Sequence, residues 1–217
     1  MPAQSRPEKR TLTYRLVMAV ATPIVRWWGR LEVVGLEALP TSGAVVLMVN
    51  HDSMWDPLAV GVAAHTRQVC ALAKSSLWHN RVLAWVLDRM GQIPIERGRG
   101  DLEAMSAAVA RLEKGGCIGV FPEGTVSRGK TVRVHSGAGR LALARPGITV
   151  CCASASGVVD IVRFPRRPRI RVEFFEPSAG QAADGESAIR FARRVMVDIR
   201  ERAPYAARGR RRLAEHR

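Results

Sequence analysis

The chain has 217 residues, 47% of them hydrophobic and 24% charged, enough to bury one sizeable core and within the range of a single domain. Its formal net charge of +15 raises the local concentration of anything anionic: nucleic acid, phospholipid headgroups, nucleotide cofactors or acidic carrier proteins. Four cysteines, Cys70, Cys117, Cys151 and Cys152, include no C-x-x-C pair, which argues against a disulfide or zinc framework and for small buried side chains in a reducing cytosol.

The first segment with a pattern is "LVMAVATPIV", residues 16–25. It falls short of the roughly 18 apolar residues of a membrane span, contains Pro23, and lacks the small-residue cleavage site of a signal peptide. At about 100° per residue, Arg15, Thr22, Arg26 and Arg30 share one narrow stripe, while Leu12, Leu16, Ala19, Val20, Ile24, Trp27 and Trp28 fill the rest. A helix lying in a membrane interface fits this pattern. So does a helix docked on the domain's own core, and the two do not exclude each other. The expected organisation is an interface helix over 1–30, a domain over 31–203, and a basic, flexible tail over 204–217.

Short apolar or alternating runs bounded by Gly, Pro or Asn predict strands at 44–49 "AVVLMV", 117–121 "CIGVF", 148–154 "ITVCCAS" and 170–175 "IRVEFF". Helices are expected between them. "DLEAMSAAVARLEKGG" opens on Asp101, stops at a glycine pair, and puts Leu102, Met105, Val109 and Leu112 on one face. "SSLWHNRVLAWVLDRMG" (75–91) and "ESAIRFARRVMVDIRERA" (186–203) read alike. The alternation predicts an α/β domain with a central mixed sheet flanked by helices. The late basic runs "RFPRRPRIRV" and "ARGRRRLAEHR" read as solvated charge.

Polar groups gather where the predicted strands end. In "MVNHDSMWDP" (48–57), His51 stands just past a strand, where α/β folds place their crevices. A histidine held by a carboxylate has a fixed tautomer and a stabilised imidazolium, as a general base for a hydroxyl needs. Asp52 and Asp56 are both candidate partners, and the spacing alone fits a loop histidine beside a capping aspartate better than a catalytic pair. "FPEGTVSRG" (121–129) sets Glu123, Thr125, Ser127 and Arg128 around a turn made by Pro122 and Gly124, suited to a phosphorylated polyol. "GQIPIERGRG" (91–100) places Arg97 and Arg99 just before a helix start, a phosphate-binding position.

Taken in order, "NHDSMWD", "GQIPIER" and "FPEGTVSR" resemble three successive blocks of the glycerolipid acyltransferase family, and the resemblance covers roughly residues 30–157. It implies transfer of a fatty acyl group from an acyl thioester, acyl-CoA or acyl carrier protein, to the free hydroxyl of 1-acylglycerol 3-phosphate (lysophosphatidic acid), giving phosphatidic acid. By the same resemblance His51 is the general base and Asp56 its orienting carboxylate. Arg97 belongs to the block that holds the acceptor phosphate, and Glu123, Gly124 and Thr125 to the acceptor-binding block. Lys74 and Arg128 are further phosphate contacts, while Asn50 and Ser53 carry no assigned role. The nucleophile is then the substrate's own hydroxyl, no metal or cofactor is implied beyond the thioester co-substrate, and backbone N–H groups near the third block are the expected oxyanion donors. "ITVCCASASG" lacks the two prolines usual in the family's fourth block, which bears on the acyl-donor side.

The implied setting is peripheral, on an anionic membrane surface at the cytoplasmic face. Two rivals stand beside this reading: the same chemistry on another hydroxyl acceptor, such as glycerol 3-phosphate, another lysophospholipid or an ornithine lipid, and a non-enzymatic nucleic-acid-binding protein. Charge alone supports the second, since the basic residues are not interleaved with base-stacking aromatics and no helix-turn-helix or zinc finger is present. Cys151 and Cys152 read as core, His65, His79 and His135 as surface or packing residues, and Ser127 as a turn residue.

Overall fold

The structure, a computed structural model, describes residues 10–96 and 101–205. Arg97, Arg99 and most of the expected tail lie outside them.

The run Val45–Val49 (β2) is apolar at every position, and all five residues are buried: Val45, Leu47 and Val49 face one core, Val46 and Met48 the other. A strand covered on both faces needs neighbours on both edges. Cys117–Val120 (β5) and Thr149–Ser156 (β6) supply them, both parallel to β2. Val69–Lys74 (β3) and Ile93–Ile95 (β4) extend the parallel set beyond β5, while Arg171–Phe175 (β7) runs antiparallel to β6 and carries Glu32–Val34 (β1) at the outer edge. The seven strands lie in the order β1-β7-β6-β2-β5-β3-β4, the mixed sheet expected. Because β2 to β6 are mutually parallel, their C-terminal ends share one edge.

One face of the sheet is covered by Leu12–Thr22 (α1) and Asp56–Ala63 (α2), the other by Leu102–Glu113 (α4), Gly137–Ala142 (α5) and Ala188–Arg202 (α6). Three of these starts are side-chain capped, with Thr11 accepting from Tyr14 N–H, Asp101 from Ala104 N–H and Ser187 from Arg190 N–H. The buried face of α4 is Ala104, Ala108 and Leu112, whereas Leu102 is 76% exposed. Small alanines let the helix lie close on the sheet, with Met105 and Val109 partly buried beside them, so of the expected apolar face only Leu102 turns outward. At α5, a Cβ on Gly139 would run into the carbonyl oxygen of Ala188, so the glycine permits the close approach that seats α6.

The segment 75–91 is not one helix. Asn80 accepts from Val82 and Leu83 N–H and starts a fresh helix, Arg81–Arg89 (α3), after a 3-10 turn over Ser75–His79. The cap outcompetes continuation because asparagine offers the free amides a ready acceptor.

Of the two readings of its pattern, the structure shows the docked one: one side of α1 packs on the domain's own core. Tyr14, Ala21 and Val25 are buried against the core, and Tyr14 Oη accepts a long hydrogen bond from Val69 N–H at 3.4 Å. Leu12, Leu16, Val20 and Trp27 stay exposed, the last 78% so. At Pro23, which has no N–H to give, the helix widens into a π-turn over Pro23–Trp28. Arg15, Arg26 and Arg30 are all exposed, and Arg30 also donates to the carbonyls of Arg167 and Pro168.

Candidate active site

His51 follows β2, and Glu123 follows the adjacent strand β5, so parallel pairing alone brings the two loops side by side. The first loop is pinned from both directions. Asn50 pairs with Ala155 on β6 as a backbone would, accepting its N–H and donating to its carbonyl, each at 2.8 Å. His51 N–H donates to Glu123 Oε2 at 2.8 Å, and His51 C=O accepts from Ser127 N–H at 2.7 Å. The backbone of His51 is thus held at both ends by the loop after β5.

Of the two candidate partners, the structure selects Asp56. Its Oδ2 lies 3.1 Å from His51 Nδ1 and accepts the N–H groups of Asp52 and Ser53 at 2.7 Å each. Asp56 opens α2 with Pro57 in the first turn, so the carboxylate also meets the positive end of that helix. Burial pushes the Asp56 carboxyl above its usual range, opposed by the bonds from His51 and the two amides. With Nδ1 engaged, Nε2 has no partner among the described residues and is the nitrogen left to take a proton. The imidazole stacks on Phe121, ring centroids 4.4 Å apart.

Phe121 also lines a cleft of about 480 Å³ with Leu72, Ile95, Met105, Val120 and Gly124. The walls are mostly apolar. His135, read from sequence as a surface or packing residue, lines one side and donates its N–H to Pro122 C=O.

Glu123 is fully buried, with one oxygen on His51 N–H and the other on the guanidinium of Arg200. Gly124 makes the turn at φ 65° and lines the cleft. Lys74 at the end of β3, Thr125 and Arg128 are exposed, and none is hydrogen-bonded to His51 or Asp56. Arg97 lies outside the described residues. Sequence reasoning misses Arg200 on α6, which donates to Asp52 Oδ2 at 2.8 Å and to Glu123 Oε1 from Nε at 3.0 Å. It also misses Tyr205, whose ring lies 3.8 Å from that guanidinium. Ser127 is more than a turn residue, since its hydroxyl donates to Asp52 as its amide holds His51. All four cysteines are buried, and none is in a disulfide. Burial pushes the Cys151 thiol to about 12 and Cys152 higher still, so neither supplies a thiolate near neutral pH.

A family model described as Acyltransferase matches residues 30–156, more than half of the chain. A 1-acyl-sn-glycerol-3-phosphate acyltransferase of Bacillus subtilis is 26% identical over 97 residues, which are 45% of this chain and 49% of that protein. One from Borreliella burgdorferi is 32% identical over 123 residues, 55% of this chain and 49% of that protein. The chain thus spans about half the length of these curated relatives. The crystal structure of the 1-acyl-sn-glycerophosphate (LPA) acyltransferase PlsC from Thermotoga maritima superposes with a TM-score of 0.66 over 90% of this chain and 81% of that one. At 18% identity this likeness shows a shared fold.

Proposed function

The chain belongs to the acyltransferase family, and from that premise we propose that it moves a fatty acyl group from an acyl thioester to the free hydroxyl of 1-acylglycerol 3-phosphate. The observation that carries this reading is the His51–Asp56 pair: Nδ1 tied to a carboxylate that two amides hold in place, Nε2 left to act. In the proposed step Nε2 takes the proton of the acceptor hydroxyl as its oxygen attacks the thioester carbonyl. Asp56 stabilises the imidazolium that forms, and the thiolate leaves and recovers a proton. The tetrahedral oxyanion requires donors. Gly124 N–H is spent on Phe121 C=O and Ser127 N–H on His51 C=O, so the Thr125 and Val126 amides are the proposed donors in that turn.

The apolar cleft beyond Phe121 suits a fatty acyl chain, and Arg97, Lys74 and Arg128 remain the proposed contacts for the acceptor phosphate. No metal or prosthetic group enters the step, and the donor is acyl-CoA or acyl carrier protein.

We place the protein on the cytoplasmic face of a membrane. Leu16 and Val20 on α1, Trp27 in the π-turn that follows it, Val82 and Trp85 on the neighbouring α3, and Phe164 stacked on Trp28 are exposed apolar groups with Arg15 and Arg26 close in sequence. No helix among the described residues is long and apolar enough to cross a bilayer.

The test is free-thiol release by the purified protein from acyl-CoA with lysophosphatidic acid, glycerol 3-phosphate or a lyso-ornithine lipid as acceptor. Release that depends on lysophosphatidic acid supports the proposal. Release with another acceptor alone moves the substrate but keeps the chemistry. No acceptor-dependent release from either acyl-CoA or acyl carrier protein, together with salt-sensitive DNA binding, overturns it.

A further inference from the structure

We propose that Arg200, on α6, is a positioning residue for acyl transfer, clamping the carboxylates of Asp52 and Glu123 into one unit that fixes the backbone and the electrostatic surroundings of His51. The inference rests on the reading of His51 as general base. It concerns a residue outside the family match at 30–156.

The side chains concerned are shielded from water: Arg200 is 10% exposed, Asp52 8% and Glu123 0%. Two carboxylates shielded this far at one strand edge repel each other and favour protonation unless a cation lies between them. Arg200 is that cation. Its planar fork reaches both at once, Nη1 to Asp52 at 2.8 Å, and Nε at 3.0 Å together with Nη2 to Glu123. A single ammonium group has no such geometry.

Each clamped carboxylate in turn grips the catalytic loops with its remaining capacity. Glu123 Oε2 accepts His51 N–H, and Asp52 accepts from the Asn50 amide and the Ser127 hydroxyl. Ser127 closes the circuit by donating its own N–H to His51 C=O. Arg200 is fixed from behind, with Nη1 also donating to Ala203 C=O at 3.2 Å and Tyr205 stacked over the guanidinium. Phe191, Val195 and Ile199 bury α6 in the core, so the clamp has a rigid base.

Among the described residues, the charged and titratable groups bonded to His51 or to its holders are Asp56 from α2, Asp52 on its own loop and Glu123 from the loop after β5, with Arg200 and Tyr205 behind them. Without Arg200 the Asp52 and Glu123 carboxylates beside the His51 backbone lose their counter-ion, and negative charge left on either favours the protonated, inactive imidazole. A merely structural ion pair would alter stability; a positioning residue alters turnover and its pH dependence in folded protein.

The experiment compares wild type, Arg200→Lys, Arg200→Met and His51→Ala in the full chain, by thiol release and circular-dichroism melts, at a temperature where each is folded. Arg200→Met is expected to lower kcat about 10- to 100-fold, the order expected from losing charge-assisted hydrogen bonds. KM for both substrates should stay within about twofold, and the acid limb of the pH–rate profile should move to higher pH. Arg200→Lys, which keeps the charge but cannot span both carboxylates, should fall between the two with the acid limb restored. Wild-type kcat and pH profile in Arg200→Met overturn the proposal. If Arg200→Met does not fold, Arg200→Lys decides: wild-type kcat in it overturns the proposal, and a folded protein with reduced kcat and unchanged KM supports it. His51→Ala separates the levels. Turnover surviving in His51→Ala defeats the general-base reading itself, whereas loss there with wild-type Arg200 variants defeats only the clamp.

Discussion

Asp56→Asn keeps the shape of a side chain and removes its charge. Three donors converge on Asp56 Oδ2: His51 Nδ1 at 3.1 Å and the Asp52 and Ser53 amides at 2.7 Å. An asparagine oxygen satisfies the two amides, but no carboxylate then balances the imidazolium that forms as the acceptor hydroxyl loses its proton. Loss of one charge-assisted hydrogen bond, about 1.5–3 kcal/mol, corresponds to about 10- to 150-fold in rate at 1.36 kcal/mol per decade. If the new NH2 group turns to Nδ1, the histidine proton moves to Nε2, the atom that must be bare, and the loss approaches the whole general-base contribution of about 10² to 10⁴. Neither effect acts on ground-state binding, so KM should change by less than about threefold. The assay is steady-state thiol release with acyl-CoA and lysophosphatidic acid varied in turn, beside a thermal melt. A folded Asp56→Asn protein keeping more than about a tenth of wild-type kcat would refute the assignment of Asp56 as the orienting carboxylate.

Gly139→Val forces a side chain against the Ala188 carbonyl and should cost about 1–3 kcal/mol, lowering Tm by about 2–12 °C; an unchanged melt would mean that α5 and α6 pack less closely than described. Burial pushes the Tyr14 phenol up to about 12 from an ordinary 10.0, so the folded protein favours the protonated form and loses stability as pH rises through the unfolded value. The loss should reach about 2–3 kcal/mol by pH 12, and Tyr14→Phe should remove that part of the alkaline slope in denaturant titrations; identical slopes would contradict it. Co-sedimentation with anionic vesicles should weaken with salt, and should drop in Leu16→Glu/Val20→Glu/Trp27→Glu and in a chain lacking residues 1–30. Binding by these variants equal to wild type on neutral and anionic vesicles would place the membrane contact elsewhere.

The parts of the fold legible in sequence are those whose burial is written in a long enough run. Val45–Val49, Cys117–Val120, Thr149–Ser156 and Arg171–Phe175 announce themselves by apolar residues between turn signals. Glu32–Val34 and Ile93–Ile95 have three residues each, the latter with Pro94 inside, and carry no periodicity to read. Helix α5, "GAGRLA", is masked by its two glycines, one of which, Gly139, lets it approach α6. In the site, His51 and Asp56 stand five residues apart in one block, close enough for both to be singled out, but only the resemblance and then the packing choose Asp56 over Asp52. Arg200 lies 148 residues from Asp52 and 77 from Glu123, in a helix whose exposed face also carries other arginines. No spacing rule distinguishes it; only the crossing of α6 over the strand ends does. Glu123 shows the converse, for its block is recognisable while its burial beneath His51 is a property of the packing alone.

The most direct test of the account is acceptor-dependent thiol release by wild type and His51→Ala under identical conditions, with both proteins shown to be folded. The account predicts release that requires lysophosphatidic acid in wild type and falls by about 10² to 10⁴ in His51→Ala. Equal release by the two proteins would show that no proton passes through His51 and that the chemistry assigned to this edge of the sheet is wrong.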